Sequence, residues 1–219
     1  MIRQNRAAKR GRPLASPRTK PAEERRDDLM DAAQRLFVAR GVEATTIDDI
    51  VAAAGVAKGT YYHYFAAKTD IVLALRDRFS AGFLARIAGA LATLPAESAE
   101  AQLVAWTRTA VAAYLDTVAL HDVVFHDFGH DKRRSREKDA VLDQLQGLLI
   151  AGRDAGAWRL ADARVTAIVL FEGMHGVVDD AIAQAAADRR PIDRVAIADT
   201  LISLFLPMLG RPAADRLIP

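Results

Sequence analysis

Four consecutive residues, Tyr61, Tyr62, His63 and Tyr64, bring three hydroxyl groups and an imidazole ring together in the chain. A helix that buries one face spaces its aromatic residues three or four apart, whereas four in succession lie all round it. Some of these rings must therefore face solvent or a partner. Hydroxyl and imidazole groups bond phosphate oxygens and base edges, so the cluster indicates contact with nucleic acid. The alternative is packing of the rings between parts of the protein.

The elements that would position these rings are two short helices joined by a tight turn. Thr46, followed three residues later by Asp49, predicts a capped helix start. The apolar pattern runs as far as Gly55, which interrupts it as a glycine does where a helix gives way to a turn. A second helix over residues 58–64 would complete a helix-turn-helix.

This segment resembles the DNA-binding region of the TetR (tetracycline-repressor-like) family of bacterial transcription regulators. The residues that match the family's pattern in register are Thr46, Ile47, Ile50, Ala54, Gly55, Val56, Gly59, Thr60, Tyr62, Tyr64, Phe65, Lys68 and Ile71. The pattern of the family's first helix is met by Leu29, Ala32, Ala33, Leu36, Phe37, Arg40 and Gly41. Beyond about residue 90, only the length and the helical character agree.

Three positions depart from the family's pattern. Val51 stands where the family usually has alanine, Ala57 replaces the usual serine before the recognition helix, and Ala67 replaces a polar residue before the next helix. Loss of a capping side chain costs about 1 kcal/mol. None of the three removes a DNA-contacting group, so they bear on rigidity and leave the implied contacts in place.

The resemblance implies that Lys58, Gly59 and Thr60 open the recognition helix and face the floor of the major groove. Lys58 would reach guanine O6 and N7, and Gly59 would allow close approach of the backbone. Tyr61 would place its ring against a thymine methyl group. His63 would contact a base edge or a phosphate.

The resemblance assigns the remaining DNA contacts to the phosphate backbone. Thr46, at the start of a helix, would bond a phosphate through its side chain and the helix-end N–H groups. The hydroxyls of Tyr62 and Tyr64 would bond phosphates as well. Lys68 would neutralise a phosphate from the start of the fourth helix.

The N-terminal part of the chain is basic. Residues 1–20 carry seven Lys or Arg and no acid; residues 1–65 hold twelve basic and eight acidic groups, and residues 66–219 hold eighteen and twenty. Arg10 and Arg12 flank a glycine in a sequence that looks like an AT-hook, in which Arg-Gly-Arg lies in a narrow A·T-rich minor groove. A solvated tail with diffuse attraction to phosphate is the alternative.

The whole pattern predicts an all-α protein of about nine helices, without strands or internal repeats. We expect a disordered basic arm at 1–21, a helix-turn-helix DNA-binding domain at 22–66, and a helical effector-binding and dimerisation domain at 67–219. Beyond the recognition helix, the predicted helices begin near residue 68 and cover about 98–119, 121–130, 137–154, 162–187 and 192–209.

The last two long helices are the most apolar. The stretch from Ala167 to Val178 is interrupted only by Glu172, His175 and glycines. In TetR-like proteins the corresponding pair of helices forms a four-helix dimer interface, so the resemblance implies a homodimer. An ordinary monomer core is the alternative. Glu172 and His175 would be satisfied across an interface or would orient a ligand, because an unpaired polar group is costly there.

An apolar body with a few polar groups among aromatic side chains can enclose a small molecule. The candidate effector-binding residues, each of which is otherwise an ordinary core residue, are Trp106, Tyr114, Phe125, His126, Phe128, Met174 and His175.

Enzyme chemistry finds little support in the sequence. The chain has no Cys, which excludes disulfides, Fe–S clusters and thiolate zinc sites. His121, His126 and His130 each precede an aspartate, and the last two share a helical face, a spacing that can hold a metal. Polar histidines at a helix end are the favoured interpretation, so we predict no metal, no cofactor and no enzymatic activity. A metal-dependent hydrolase with a DNA-binding module and an architectural A·T-rich DNA binder are the alternatives.

The chain shows neither a secretory signal nor a run of about 20 apolar residues, the length that spans a membrane. The sequence therefore predicts a cytoplasmic transcription regulator that binds a palindromic operator in double-stranded DNA as a homodimer. By the resemblance, it is a repressor that a small-molecule effector releases.

Overall fold

The computed structural model describes residues 22–95, 97–126 and 136–210, and all regular structure in these ranges is helical. The helices are α1 (Ala22–Arg40), α2 (Ile47–Ala54), α3 (Lys58–Tyr64), α4 (Lys68–Leu91), α5 (Ala99–His121), a π-helical turn (Asp122–His126), α6 (Arg136–Asp154), α7 (Ala163–Asp188) and α8 (Arg194–Met208). The prediction of an all-α protein is confirmed. None of the described helices is long and apolar enough to cross a membrane. The basic arm, with Arg10 and Arg12, lies outside the described residues.

The helix-turn-helix ends where local sequence signals place its boundaries. The Thr46 hydroxyl accepts from the Asp49 backbone N–H, and the Asp49 carboxylate accepts from the Thr46 N–H, which forms the predicted capping box. Gly55 ends α2 in the left-handed region, with φ of 66°. No side chain caps α3, because Ala57 precedes it.

A first hydrophobic core, here called the head core, joins α1, α2 and α3 to the first turns of α4. Its larger members are Leu29, Met30, Phe37, Ile50, Tyr61, Phe65, Ile71 and Leu75. Val123 and Val124 of the π-helical turn also belong to it. The helix-turn-helix is therefore closed by residues that lie far along the chain from it.

A second core, the body core, is built by α5, α6, α7 and α8 with the end of α4. Among its buried members are Ile87, Leu103, Trp106, Leu145, Leu149, Leu170, Met174, Leu201 and Phe205. Trp158 packs so tightly on α6 that a Cβ at Gly152 would lie 2.0 Å from its ring. Its indole N–H donates to the Leu149 carbonyl at 2.9 Å.

Helices α7 and α8 carry large hydrophobic side chains that are exposed. These side chains are Val165, Ile168, Val169, Val177, Val195, Leu204 and Met208. On α7, Val165, Ile168 and Val169 lie on the same side of the helix, and on α8 Leu204 and Met208 do.

Candidate functional site

The recognition helix α3 is anchored by Tyr61. This side chain is 0% exposed, and its hydroxyl donates to the Ala67 carbonyl at 3.0 Å. Its ring lies 5.6 Å from that of Phe65, one helical turn away. Burial raises the pKa of Tyr61 to about 12. The predicted contact of Tyr61 with a thymine methyl is therefore wrong, and packing is the correct interpretation for this ring.

The opposite face of α3 is open. Tyr62 is 51% exposed, His63 is exposed and Tyr64 is half-buried. The Tyr62 ring stands edge-on to the buried Tyr61 ring, with centroids 5.5 Å apart and planes at 82°. The anchor thus holds the first exposed ring in a fixed orientation.

The first turn of α3 has an exposed position without a side chain. Gly59 is exposed, and a Cβ built on it would meet nothing within 4 Å. No neighbouring atom of the protein therefore requires a glycine at this position. Thr60 beside it is half-buried. The backbone at Gly59 is accessible to another molecule.

Lys58 is held by an acid in the preceding helix. Its ammonium lies 2.8 Å from the Asp48 carboxylate, and both side chains are largely exposed. The hydrogen bond from the ammonium to Asp48 raises the pKa of Lys58. A guanine contact by Lys58 must therefore compete with this exposed pair, which is a weak competitor in water.

The Lys68 side chain is bonded to backbone carbonyls of the loop between α1 and α2. Its ammonium donates to the carbonyls of Val42 at 2.7 Å, Thr45 at 3.1 Å and Glu43 at 3.4 Å. These three bonds use all the donors of an ammonium group. In this structure Lys68 fastens the α1–α2 loop to the start of α4, and its predicted contact with a phosphate stays a prediction.

The polar groups of Thr46 are also hydrogen-bonded within the protein. Its hydroxyl donates to the Asp49 carboxylate at 2.7 Å, and the Thr46 N–H donates to the same carboxylate at 2.9 Å. Arg40 lies 2.6 Å from this carboxylate. The hydrogen bonds from Thr46, with Arg40, lower the pKa of Asp49. In this structure the Thr46 hydroxyl and N–H cap α2, and the phosphate bond predicted for this exposed residue stays a prediction.

A second group of functional side chains lies in the body and is here called the aromatic cluster. It consists of Phe79 on α4, Tyr114 and His121 on α5, Phe125 in the π-helical turn, and Phe171 and His175 on α7. Neighbouring ring centroids lie between 4.2 and 5.9 Å apart. Tyr114, Phe125 and His175 are candidate effector residues from the sequence, and His121 was considered there only as a metal ligand. Phe79 and Phe171 have no local pattern that distinguishes them from core residues.

Two polar contacts orient the aromatic cluster. The Tyr114 hydroxyl donates to Asp179 at 2.6 Å, and burial together with this carboxylate raises the pKa of Tyr114 far above its ordinary value. His175 Nδ1 lies 3.2 Å from the Phe171 carbonyl. Burial lowers the pKa of His175, so the ring is neutral at physiological pH.

The other candidate effector residues fall into two groups. Trp106 and Met174 are fully buried in the body core, and within the described part of the chain the Trp106 indole N–H has no hydrogen-bond partner. The side chain of His126 and all of Phe128 and His130 lie outside the described residues. Over the ranges that the structure describes, no three acidic or histidine side chains gather as a metal site would need. Glu172 is paired with Lys138 on α6, within the chain.

Arg76 on α4 connects the aromatic cluster with the head core. Its guanidinium is buried and donates through Nε and Nη2 to the Val124 carbonyl, at 3.0 and 2.6 Å. The same group lies over the Phe125 ring, 4.8 Å from its centroid. Two residues further on, Arg78 donates to Asp31 on α1 at 2.7 Å. Helix α4 is thus fastened both to the π-helical turn and to the helix-turn-helix.

The sequence profile described as "Bacterial regulatory proteins, tetR family" matches residues 29–75. The chain is 32% identical over 143 residues to the HTH-type transcriptional repressor KstR2 of Rhodococcus jostii. This alignment covers 62% of this chain and 68% of that protein. It is 31% identical over 168 residues to the probable HTH-type transcriptional regulator ArpR of Pseudomonas putida, covering 71% and 80%.

Solved structures show the same fold. The fatty acid degradation regulator FadR from Bacillus halodurans superposes with a TM-score of 0.68 over 90% of this chain and 100% of its own, at 21% identity. The regulator FadR from Bacillus subtilis, solved with stearoyl-CoA, superposes with a TM-score of 0.64 over 82% and 97%, at 20% identity. With the matched helix-turn-helix and the extended similarity to curated regulators, the chain belongs to the TetR family of bacterial transcription regulators.

Proposed function

We propose that this protein represses transcription in the cytoplasm, without a catalytic step of its own, by binding a palindromic operator as a homodimer that a small-molecule effector releases. The observation that carries the proposal is the division of α3 into a buried anchor and an exposed face. Tyr61 and Phe65 fix the helix, and Tyr62, His63 and the bare backbone at Gly59 are left for a partner.

The exposed groups of α3 suit the major groove. Tyr62 and Tyr64 would bond phosphates and set the register of the helix, while Lys58 would leave Asp48 to read a guanine. Gly59 would let the helix backbone come close to the base edges. The basic arm would add electrostatic attraction, or a minor-groove contact through Arg10 and Arg12.

The exposed hydrophobic side chains of α7 and α8 support dimerisation. Val165, Ile168, Val169 and Val177 on α7 and Leu204 and Met208 on α8 are exposed, and Gly176 on α7 is exposed, so that a second backbone can approach closely. A two-fold axis that runs along the molecule through this interface would put both recognition helices on one side of the dimer. Two heads separated by about 34–36 Å would fit successive major grooves, which is why we expect a palindromic operator.

Effector release would use the aromatic cluster and Arg76. A molecule bound among the rings contacts Phe125 or its neighbours, and Phe125 lies against the guanidinium that holds Val124. Movement of the π-helical turn would then shift α4 and change the separation of the heads. A ligand that favours the wider separation lowers the affinity for DNA by population shift. KstR2 is named as a repressor, and FadR of Bacillus subtilis was solved with a ligand, which supports both parts of the proposal.

Selection from a library of random DNA duplexes tests the proposal. We expect enrichment of an inverted repeat, bound with a Kd of about 10⁻⁸–10⁻¹¹ M at physiological salt. Tyr62→Phe should weaken binding to every sequence alike, while Lys58→Met should relax the preference at one base position. Failure to enrich any inverted repeat would refute the repressor assignment.

A further inference from the structure

The helix-turn-helix carries few basic groups for a surface that meets DNA. Residues 46–65 contain two acids, Asp48 and Asp49, and their only lysine or arginine is Lys58. The two acids lie in the first turn of α2, and Lys58 begins α3. A polyanion is attracted where basic groups are in excess, so attraction to DNA does not explain the acids.

The two acids differ in what they contact. Asp49 belongs to the cap of α2, where it accepts from the Thr46 N–H and lies 2.6 Å from Arg40. Asp48 pairs instead with the next helix: its carboxylate lies 2.8 Å from the Lys58 ammonium, and the two side chains are 70% and 53% exposed. An exposed pair of this kind adds little to stability, so the fold does not depend on Asp48.

Asp48 opposes the electrostatic field at the start of α3. The N-terminal end of a helix carries a partial positive charge, which repels an ammonium group in its first turn. Ala57, which precedes α3, offers no side-chain acceptor there. The Asp48 carboxylate supplies the opposite charge and holds the Lys58 ammonium close to α2. A negative charge therefore accompanies the cation with which α3 would read DNA.

This negative charge distinguishes the two kinds of acceptor that DNA offers to Lys58. A phosphate is an anion, and when it binds the ammonium it comes within a few ångströms of the Asp48 carboxylate, which repels it. Guanine O6 and N7 belong to a neutral base and meet no such repulsion. Non-specific binding depends on phosphate contacts, so the carboxylate weakens non-specific binding most.

We propose that Asp48 is a specificity-determining residue, which suppresses the binding of Lys58 to phosphates and so raises the preference of the protein for its operator over other DNA. This inference rests on the proposed function, in which α3 enters the major groove. It adds the residue that limits attachment to DNA of unrelated sequence.

The test measures binding of the full-length protein to the selected operator and to a duplex of scrambled sequence, by fluorescence anisotropy over a salt series. Asp48→Asn keeps the size of the side chain and removes its charge. Affinity for the scrambled duplex should rise about threefold. The slope of log K against log salt concentration should steepen by about 0.9, because Lys58 then binds a phosphate. Affinity for the operator should rise less, so the ratio of the two affinities falls.

Three variants separate this effect from a general change of charge. Asp31→Asn is the matched control, because it removes the same charge from an exposed pair on α1, in which Arg78 lies 2.7 Å away. It should leave the ratio and the slope unchanged. Asp48→Glu keeps a carboxylate and should keep the ratio of the parent. In a Lys58→Met background, Asp48→Asn should no longer steepen the slope, because no ammonium is released.

An unchanged ratio and slope in Asp48→Asn, an equal change in Asp31→Asn, or a steeper slope that persists without Lys58 would each overturn the inference. Thermal unfolding verifies that every variant is folded. The salt slopes on the scrambled duplex require no operator, so they decide this inference even where library selection enriches no inverted repeat. That second result would refute only the repressor assignment.

Discussion

Replacement of Lys68 by methionine distinguishes a structural lysine from a DNA-contacting one. The ammonium donates to the carbonyls of Val42, Thr45 and Glu43 at 2.7, 3.1 and 3.4 Å. Methionine keeps an apolar stem of similar length and removes only the charged donor. The α1–α2 loop would lose its connection to the start of α4.

The expected loss follows from the number and quality of these bonds. Hydrogen bonds from a charged donor contribute about 1.5–3 kcal/mol, and the long Glu43 contact adds little. Lys68 is half-buried, so water compensates part of the loss, and we expect destabilisation by about 1–2 kcal/mol. For a chain of this size, 1 kcal/mol lowers Tm by about 2–4 °C, so the variant should melt about 2–8 °C below the parent.

Thermal unfolding at a fixed protein concentration measures this effect, and operator binding across a salt series measures the other role. A phosphate contact contributes about 0.9 to the slope of log K against log salt concentration. We expect this slope to be unchanged in Lys68→Met. Lys58→Met is the matched control, because its ammonium is exposed and pairs with Asp48. It should leave Tm nearly unchanged.

An unchanged Tm together with a shallower salt slope in Lys68→Met would refute this reasoning. Lys68 would then be a phosphate contact whose carbonyl bonds carry no net stability.

Other variants test the remaining features. Arg76→Met should reduce the release from the operator that an effector causes, while the affinity for the operator without effector stays within about threefold of the parent. Anisotropy titrations with and without effector measure both quantities, and unchanged release would contradict the role of Arg76. Gly59→Ala should not lower Tm, since its Cβ meets nothing within 4 Å, but it should weaken operator binding; equal affinity would show that the DNA does not approach this backbone closely. Trp158→Phe should destabilise the protein by about 1 kcal/mol more than Trp106→Phe, because the Trp158 indole N–H is bonded and that of Trp106 has no partner among the described residues. Chemical denaturation compares the two variants, and a larger loss for Trp106→Phe would contradict the assignment. Burial lowers the pKa of His175 below 6.5, so the unfolded chain binds the proton more readily than the folded one, and stability should fall as pH drops below about 6.5. In His175→Phe this part of the pH profile of Tm should be flatter. An unchanged profile would argue against a buried neutral ring.

Local sequence signals were sufficient for most of the fold. The capping pair of Thr46 and Asp49 and the turn at Gly55 act within a few residues of each other, so the boundaries of α2 could be predicted. Helix α3 runs from Lys58 to Tyr64, as predicted.

Local sequence could not show the contacts of side chains whose partners are remote. Lys68 bonds carbonyls 23 to 26 residues away, and Arg76 bonds one that is 48 residues away, so neither role has a local signature. Tyr61 is different, because Phe65 four residues later already marks an apolar face. That spacing was a usable signal for burial, which the resemblance to a contact position outweighed.

The composition of the head core limits how this regulator can be re-engineered. Val123 and Val124 complete that core, although the family's profile ends at residue 75. A chimera that joins residues 22–75 to another regulator's body would leave the inner side of α4 facing a foreign turn. Exchange of operator specificity between relatives should therefore transplant the π-helical turn with the head, or alter only the exposed positions of α3.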